Sequence, residues 1–210
     1  MTKTVIIHYW VLCIMVLKCM QPLDACAATR SLSDDDTHFL NDVQQRTFKW
    51  FWDYSNPKNG LTLDRAPREN AFASIAGVGF ALTSYPVAVE REFLSRNQAV
   101  EKTLATLEFF VKSRQTEDPI QTTGHRGFYY HFLDPQSGLR FRNVELSTID
   151  TALMMAGVLF CREYYNMDNK LEKRIRELSE FLYRRVEWGW AQVRGGLISH
   201  GWKPETGMLK

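Results

Sequence analysis

Cysteine is nearly absent from the body of this chain: of the four present in 210 residues, Cys13, Cys19 and Cys26 fall in the first 28 positions and only Cys161 lies beyond them. No disulfide framework and no paired-cysteine zinc spacing can be built from that set. Cys161 stands among apolar residues of a helical pattern, where a thiol serves as a small hydrophobe. Charge of one sign is lacking as well. The 26 Lys and Arg offset 24 Asp and Glu to leave +2, and without a basic block nucleic acid is not an expected partner. None of the glycine-containing pieces matches a phosphate loop.

What is present is the composition of a folded domain with one substantial core: 45% hydrophobic residues, 24% charged, and 13% aromatic with six Trp. Residues 1–28 read as a secretory signal peptide, with Lys3 as the charged start, an apolar run from Val5 to Leu17, and Ala25-Cys26-Ala27 as a small-residue cleavage site. That run is short for a bilayer span, so the expectation is a periplasmic or secreted protein with no membrane span after cleavage. Lipid attachment at Cys26 is the alternative, and Asp24 makes Leu23-Asp24-Ala25-Cys26 a poor lipoprotein box. Residues 29–36 are expected to be a linker and residues 37–210 the folded domain.

In chain order, Thr37 is placed to cap a helix with a face at Leu40, Val43, Thr47, Trp50 and Tyr54. The segment Leu61 to Asn70, with Asp64, Arg65 and Pro67, has no period and is a loop, either solvated or lining a site. Ala73 to Thr83 alternates small and apolar residues, an inner helix that Pro86 closes. Ser95 caps an outer helix with a stripe at Val100, Leu104, Leu107 and Val111. The alternation then repeats, with Ile149 to Phe160 apolar nearly all round and Asn169 to Val186 amphipathic through Leu171, Ile175, Leu178 and Leu182. A helix covered on both sides followed by one covered on a single side is the pattern of a two-layered ring of helical hairpins. Two β-hairpins are expected in its loops, around Asp134-Pro135-Gln136-Ser137-Gly138 and around Gly195-Gly196. Five helices are too few for a closed ring, so the chain is expected to cover about half of such a domain.

The polar residues cluster before the second inner helix. Ser147-Thr148-Ile149-Asp150 matches a capping box, which leaves Asp150 either a capping residue or a chemical one. Glu145 precedes the cap, where the positive helix end favours its ionised form. It is a candidate base or sugar-hydroxyl acceptor, or else the partner of Arg140 or Arg142 in a surface ion pair. Glu205 lies in an irregular Gly/Pro segment. Two carboxyls on separate loops suit glycosidic cleavage, which needs a proton donor and a base or nucleophile. Tyr130, Trp188, Trp190 and Trp202 are candidate stacking platforms, and His125, Arg126, His131 and His200 candidate polar contacts to a saccharide. Since Tyr130 and His131 alternate along a strand, one of the two must face inward. No metal set is apparent.

The blocks SIAGVGFALTSYPVAVERE, TTGHRGFYYHFLDPQSGLR, ELSTIDTALMMAGVLFCREYY and HGWKPETG, from about His38 to Met208, resemble the glycoamylase-like conserved domain of endo-β-1,2-glucanases and cyclic β-1,2-glucan synthases. The resemblance covers the N-terminal half of that domain. It implies an all-α fold, an (α/α)6 barrel of helical hairpins that is incomplete in this chain, with short β-hairpins at the barrel mouth. It further implies a glycoside hydrolase acting on an oligo- or polysaccharide, a β-glucan with β-1,2 linkage; a monomer working without a cofactor is the accompanying expectation. Glu145, Asp150 and Glu205 look like that family's active-site acids; the first reading built on them is an inverting reaction with Glu205 as general acid, Glu145 as base and Asp150 orienting the loop. A non-catalytic glycan-binding protein and an inactive truncated product are the alternatives.

Overall fold

A computed structural model describes residues 32–66 and 69–209. Residues 1–28, the expected signal peptide, and residues 29–31 of the expected linker lie outside the described residues. Residues up to Leu40 form one unit and Asn41–Lys210 a second. In the first, the described residues 32–40 are exposed and carry the opening turns of helix α1, Asp34–Asp53. The cap is Ser33, not Thr37: the Ser33 hydroxyl accepts from the Asp36 amide at 3.1 Å, so helix begins within the expected linker.

The second unit is predominantly helical: α2 (Ile75–Glu90), α3 (Arg96–Lys112), α4 (Thr148–Tyr164) and α5 (Lys170–Arg185) follow the end of α1. The inner and outer pairing is as the apolar patterns require. Inner α2 lies against inner α4, outer α3 against outer α5, and α5 against α4. Among the described residues no helix is long and apolar enough to cross a membrane.

Three details depart from the sequence reading. The buried side of α1 is Phe48, Phe51 and Trp52, which pack on the core, while Val43 and Tyr54 are exposed. Pro86 does not end α2 but sits inside it. Proline has no N–H to give the carbonyl four residues back, and the Cys161 thiol donates to that carbonyl, Leu82 O, at 3.2 Å. The chain thereby keeps the helix intact to Glu90. Finally, α4 is not covered all round: Ile149, Leu153 and Phe160 are exposed along one stripe.

The loops form sheet rather than two isolated hairpins. Strands β2 (Gly124–His125), β3 (Phe128–Tyr130), β5 (Leu146–Ser147), β6 (Gly201–Lys203) and β7 (Gly207–Met208) make one antiparallel five-stranded sheet in the order β2-β3-β5-β6-β7. Strands β1 (Ala73–Ser74) and β4 (Phe132–Leu133) pair separately. The turn between β2 and β3 is Arg126-Gly127, both at positive φ (52° and 82°), a tight hairpin that two-residue turns of this hand favour. At Asp134–Gly138 the expected turn forms, closed by the Leu133–Arg140 bridge. Around Gly195-Gly196 only Gln192 and Ile198 bridge, and Trp188–Ala191 is a 3-10 turn instead of a strand.

Strands β1 and β5 feed directly into α2 and α4, so one inner helix begins at the two-stranded pair and the other at the five-stranded sheet. Their close approach is set by glycine. A Cβ on Gly157 would overlap the Gly79 carbonyl, and one on Gly79 the Leu153 carbonyl. Gly157→Ala is therefore expected to cost about 1–3 kcal/mol, as overpacked cores do. Gly189→Ala, with nothing within 4 Å of the added carbon, is expected to stay within roughly 0.5 kcal/mol. Urea denaturation of both variants checks the contrast.

Lys102 fastens α1 to α3. Its ammonium donates to the Trp52 carbonyl at 2.5 Å and lies 4.2 Å over the Trp52 ring. Burial brings its pKa down to about 8 against the upward pull of Asp53. The folded state thus binds the proton less well than the unfolded one. The sign follows: stability from this group is full above the unfolded value of 10.5 and declines as pH falls toward about 8. Lys102→Met is expected to flatten that part of the stability profile, read as the difference between variant and wild-type urea midpoints from pH 7.5 to 10.5.

Candidate active site

The site is built where the two inner helices start. A cavity of about 380 Å³ is lined by Trp50, Phe51, Leu63, Asp64, Ser74, Ala76, Gly77, Phe80, His131 and Asp150. Two carboxylates and an imidazole therefore face one space beside an indole. His131 is held there by main chain on both sides: its N–H donates to Glu145 O at 2.9 Å and its carbonyl accepts from Ile75 N at 3.3 Å.

The imidazole of His131 lies between two acids. Its Nδ1 is 2.8 Å from Glu145 Oε1 and its Nε2 3.7 Å from Asp150 Oδ2. Glu145 is half-buried, which alone would raise its pKa. Hydrogen bonds from its own amide and from His131, with the positive charges of His131 and Lys203, more than offset that and leave it lowered. Asp150 is held at the N-terminus of α4, where its amide donates to Ser147 Oγ at 3.2 Å and the Ser147 hydroxyl donates to its carboxylate.

Glu205 is in a different environment. Arg140 grips both of its oxygens, at 2.7 and 3.1 Å, and this pair holds the carboxyl below its ordinary range. A general acid needs the opposite, so the donor role expected of Glu205 does not fit the environment in which it sits. The expected Glu145–arginine ion pair is also replaced, because Arg140 takes Glu205 and His131 takes Glu145. All three acids still lie on one region of sheet: Glu145 precedes β5, Asp150 follows it, Glu205 is in the β6–β7 turn, and Lys203 lowers both glutamates.

Of the eight expected saccharide contacts, only His131 lines the cavity. Tyr130 is fully buried, its ring under the Arg140 guanidinium at 4.6 Å and its hydroxyl pushed up to about 12 by burial. Tyr130 thus takes the inward position and His131 the outward one. His125 stacks on Trp202 at 5.2 Å and meets Trp190 edge-on at 5.4 Å; burial lowers its pKa. Trp188 packs edge-on against Phe128. These aromatic groups cover one another and the sheet instead of standing open as platforms. Arg126 is a turn residue paired with Glu187 at 2.7 Å, and His200 is exposed away from the cavity.

Trp50 is a cavity residue that the sequence pattern placed on a packing face, and Asp64 is one whose loop the sequence left either solvated or lining a site. Asp64 is anchored by its amide to Phe72 O at 3.0 Å and by its carboxylate to Arg65 at 2.9 Å. The only hint was an Asp-Arg pair before an inner helix. Among the described residues no group of three or more His, Cys, Asp and Glu is placed to hold a metal ion.

No family model matches the chain. A curated protein, the exo beta-1,2-glucooligosaccharide sophorohydrolase (non-reducing end) of Parabacteroides distasonis, is 26% identical over 160 residues, which are 74% of this chain and 21% of that protein. The crystal structure of a glucoamylase candidate from Bacteroides uniformis aligns with a TM-score of 0.72 and 28% identity over 85% of this chain and 42% of that one. An endo-beta-1,2-glucanase from Chitinophaga pinensis, in complex with sophorotriose and glucose, shares the fold at a TM-score of 0.71, with 24% identity over 84% of this chain and 42% of its own. The chain thus spans under half the length of each. In sequence and fold it is similar to part of these proteins, and in fold to β-1,2-glucanases.

Proposed function

We propose that this chain is the N-terminal part of an exported glycoside hydrolase that cleaves β-1,2-linked glucan by carboxylate acid/base catalysis. The observation that carries the reading is the cavity at the inner-helix N-termini, in which Asp64, Asp150 and His131 face a single space beside Trp50. Similarity to β-1,2-glucan-cleaving proteins supports the substrate class. In this reading residues 1–28 are a leader, the protein acts in the periplasm or outside the cell as a monomer, and residues 37–210 are part of an (α/α)6 barrel.

The geometry suggests a division of labour. Asp150 lines the cavity and gives its proton to the glycosidic oxygen. Glu145, kept ionised, holds the imidazole of His131 in place, and after each turnover the imidazole passes a proton from solvent to Asp150 while Asp64 releases to solvent the proton it took from water. Asp64 is the second carboxylate on the cavity and activates the attacking water, which gives inversion. Trp50 offers its face to a sugar ring. Glu205 supplies a fixed negative charge rather than a proton. Hydrolysis by this route calls on neither metal nor organic cofactor.

A second reading is glycan binding without turnover, in which the Trp50 indole beside the cavity holds a sugar ring. Reducing-sugar release from β-1,2-glucan oligomers, with calorimetric binding in parallel, separates the two. Release by the wild-type chain supports the hydrolase; binding with no release supports the second reading. Where release occurs, Asp150→Asn and Glu145→Gln are each expected to lower it by about 10²–10⁴-fold, the usual worth of a positioned acid or base, and Glu205→Gln by less. Full activity in both Asp150→Asn and Glu145→Gln rejects the assignment.

A further inference from the structure

We infer that Arg140 is the positioning residue of this site, holding the Glu205 carboxylate and the main chain beside Glu145 in one fixed relation. Its side chain is 0% exposed. Every nitrogen of the guanidinium has a partner. Nε donates to Val144 O at 2.8 Å; Nη1 donates to Glu205 Oε1 at 2.7 Å and to Pro119 O at 3.2 Å; Nη2 donates to Glu205 Oε2 at 3.1 Å. The planar group also lies on the Tyr130 ring.

Val144 is the residue before Glu145, and Glu205 lies in the β6–β7 turn. One guanidinium therefore ties the segment leading into β5 to the turn after β6, and Pro119 adds a third segment. A lysine keeps the charge but cannot reproduce the fork. A purely structural ion pair at this place would not need the carbonyl beside Glu145, and a surface pair would not be buried. Facing the pair are Lys203 from β6, whose charge acts on Glu145 as well, Tyr130 beneath the guanidinium and Asp118 near the Tyr130 ring. Glu205 is held ionised within that set, and the same bonds fix where the Glu145 carboxylate meets His131.

The functional part of this inference rests on the hydrolase reading; the geometric part does not. The test is carbon-13 NMR titration of the Glu145 and Glu205 carboxyls in the whole chain, for wild type and Arg140→Lys. The expected result is a Glu205 midpoint that rises toward the ordinary carboxylate range together with an altered Glu145 titration. Turnover of β-1,2-glucan oligomers should fall about 10²-fold in kcat with KM little changed, the scale of a misplaced reacting group. If Arg140→Lys fails to fold, Glu205→Ala, which leaves the guanidinium without its carboxylate partner, must alter the Glu145 titration. Wild-type Glu145 titration in the folded variants, with turnover unchanged wherever wild type shows it, overturns the inference. Altered titrations in a chain that never hydrolyses glucan leave the positioning role standing and remove the hydrolase reading.

Discussion

The contact on which this arrangement depends is the backbone-to-backbone approach of Gly79 and Gly157. Apolar helices with large side chains at the crossing stand apart by the width of those side chains, and interaxial distance follows what lies at the contact. With glycine on both sides the inner helices come together, and their first turns, capped by Ser74 and Ser147, converge on one cavity. Each glycine costs helix propensity, and the closeness it permits offsets that cost. The thiol that serves the Leu82 carbonyl in place of the amide Pro86 lacks also comes from α4, so the two inner helices meet there as well.

Around that crossing the charged groups are arranged in two separate sets. One is the Glu145–His131–Asp150 row, open to the cavity through His131 and Asp150. The other is the Arg140–Glu205 pair, whose guanidinium is wholly buried while its carboxylate is partly exposed. A buried guanidinium left alone would be costly, so its carboxylate is committed to it. A carboxylate so committed is a poor proton donor, whereas one that shares an imidazole with a second acid has somewhere to send and recover a proton. The difference between the two sets is one of partners, not of residue type.

Much of this was legible in the sequence, and for identifiable reasons. Helix positions and the inner/outer alternation follow from apolar periodicity, which depends only on local spacing. The alternation of Tyr130 and His131 was legible because a strand forces it. The aromatic contacts were not. Trp188, Trp190, Trp202 and His125 are each able to stack on a sugar or on one another, and only tertiary packing decides. Likewise the choice of Arg140 for Glu205 over Glu145 is a matter of which strands pair, since β6 lies beside β5 across more than fifty residues of intervening chain. Between a solvated and a site-lining Asp64 the sequence could not decide, because an irregular loop has no period from which a direction can be read. On α4 the apolar composition correctly indicated an inner helix, but composition cannot tell which face a neighbour covers, and Ile149, Leu153 and Phe160 stand exposed.

The two inner helices also supply an internal control for the role of Asp150. Each begins with a two-residue strand whose second residue is the serine cap, and each cap hydroxyl accepts from the amide three residues on. In α2 that third residue is Gly77, which has no side chain, and the cap bond forms at 3.3 Å. In α4 it is Asp150, and the cap bond forms at 3.2 Å. The carboxylate is therefore not what makes the cap. Nor does it complete a reciprocal capping box, in which the acid would accept from the cap residue's own amide; it accepts from the Ser147 hydroxyl and lies beside His131 instead. A helix end with its amides already served, carrying an acid directed into a cavity, is better explained by what the cavity holds than by the helix.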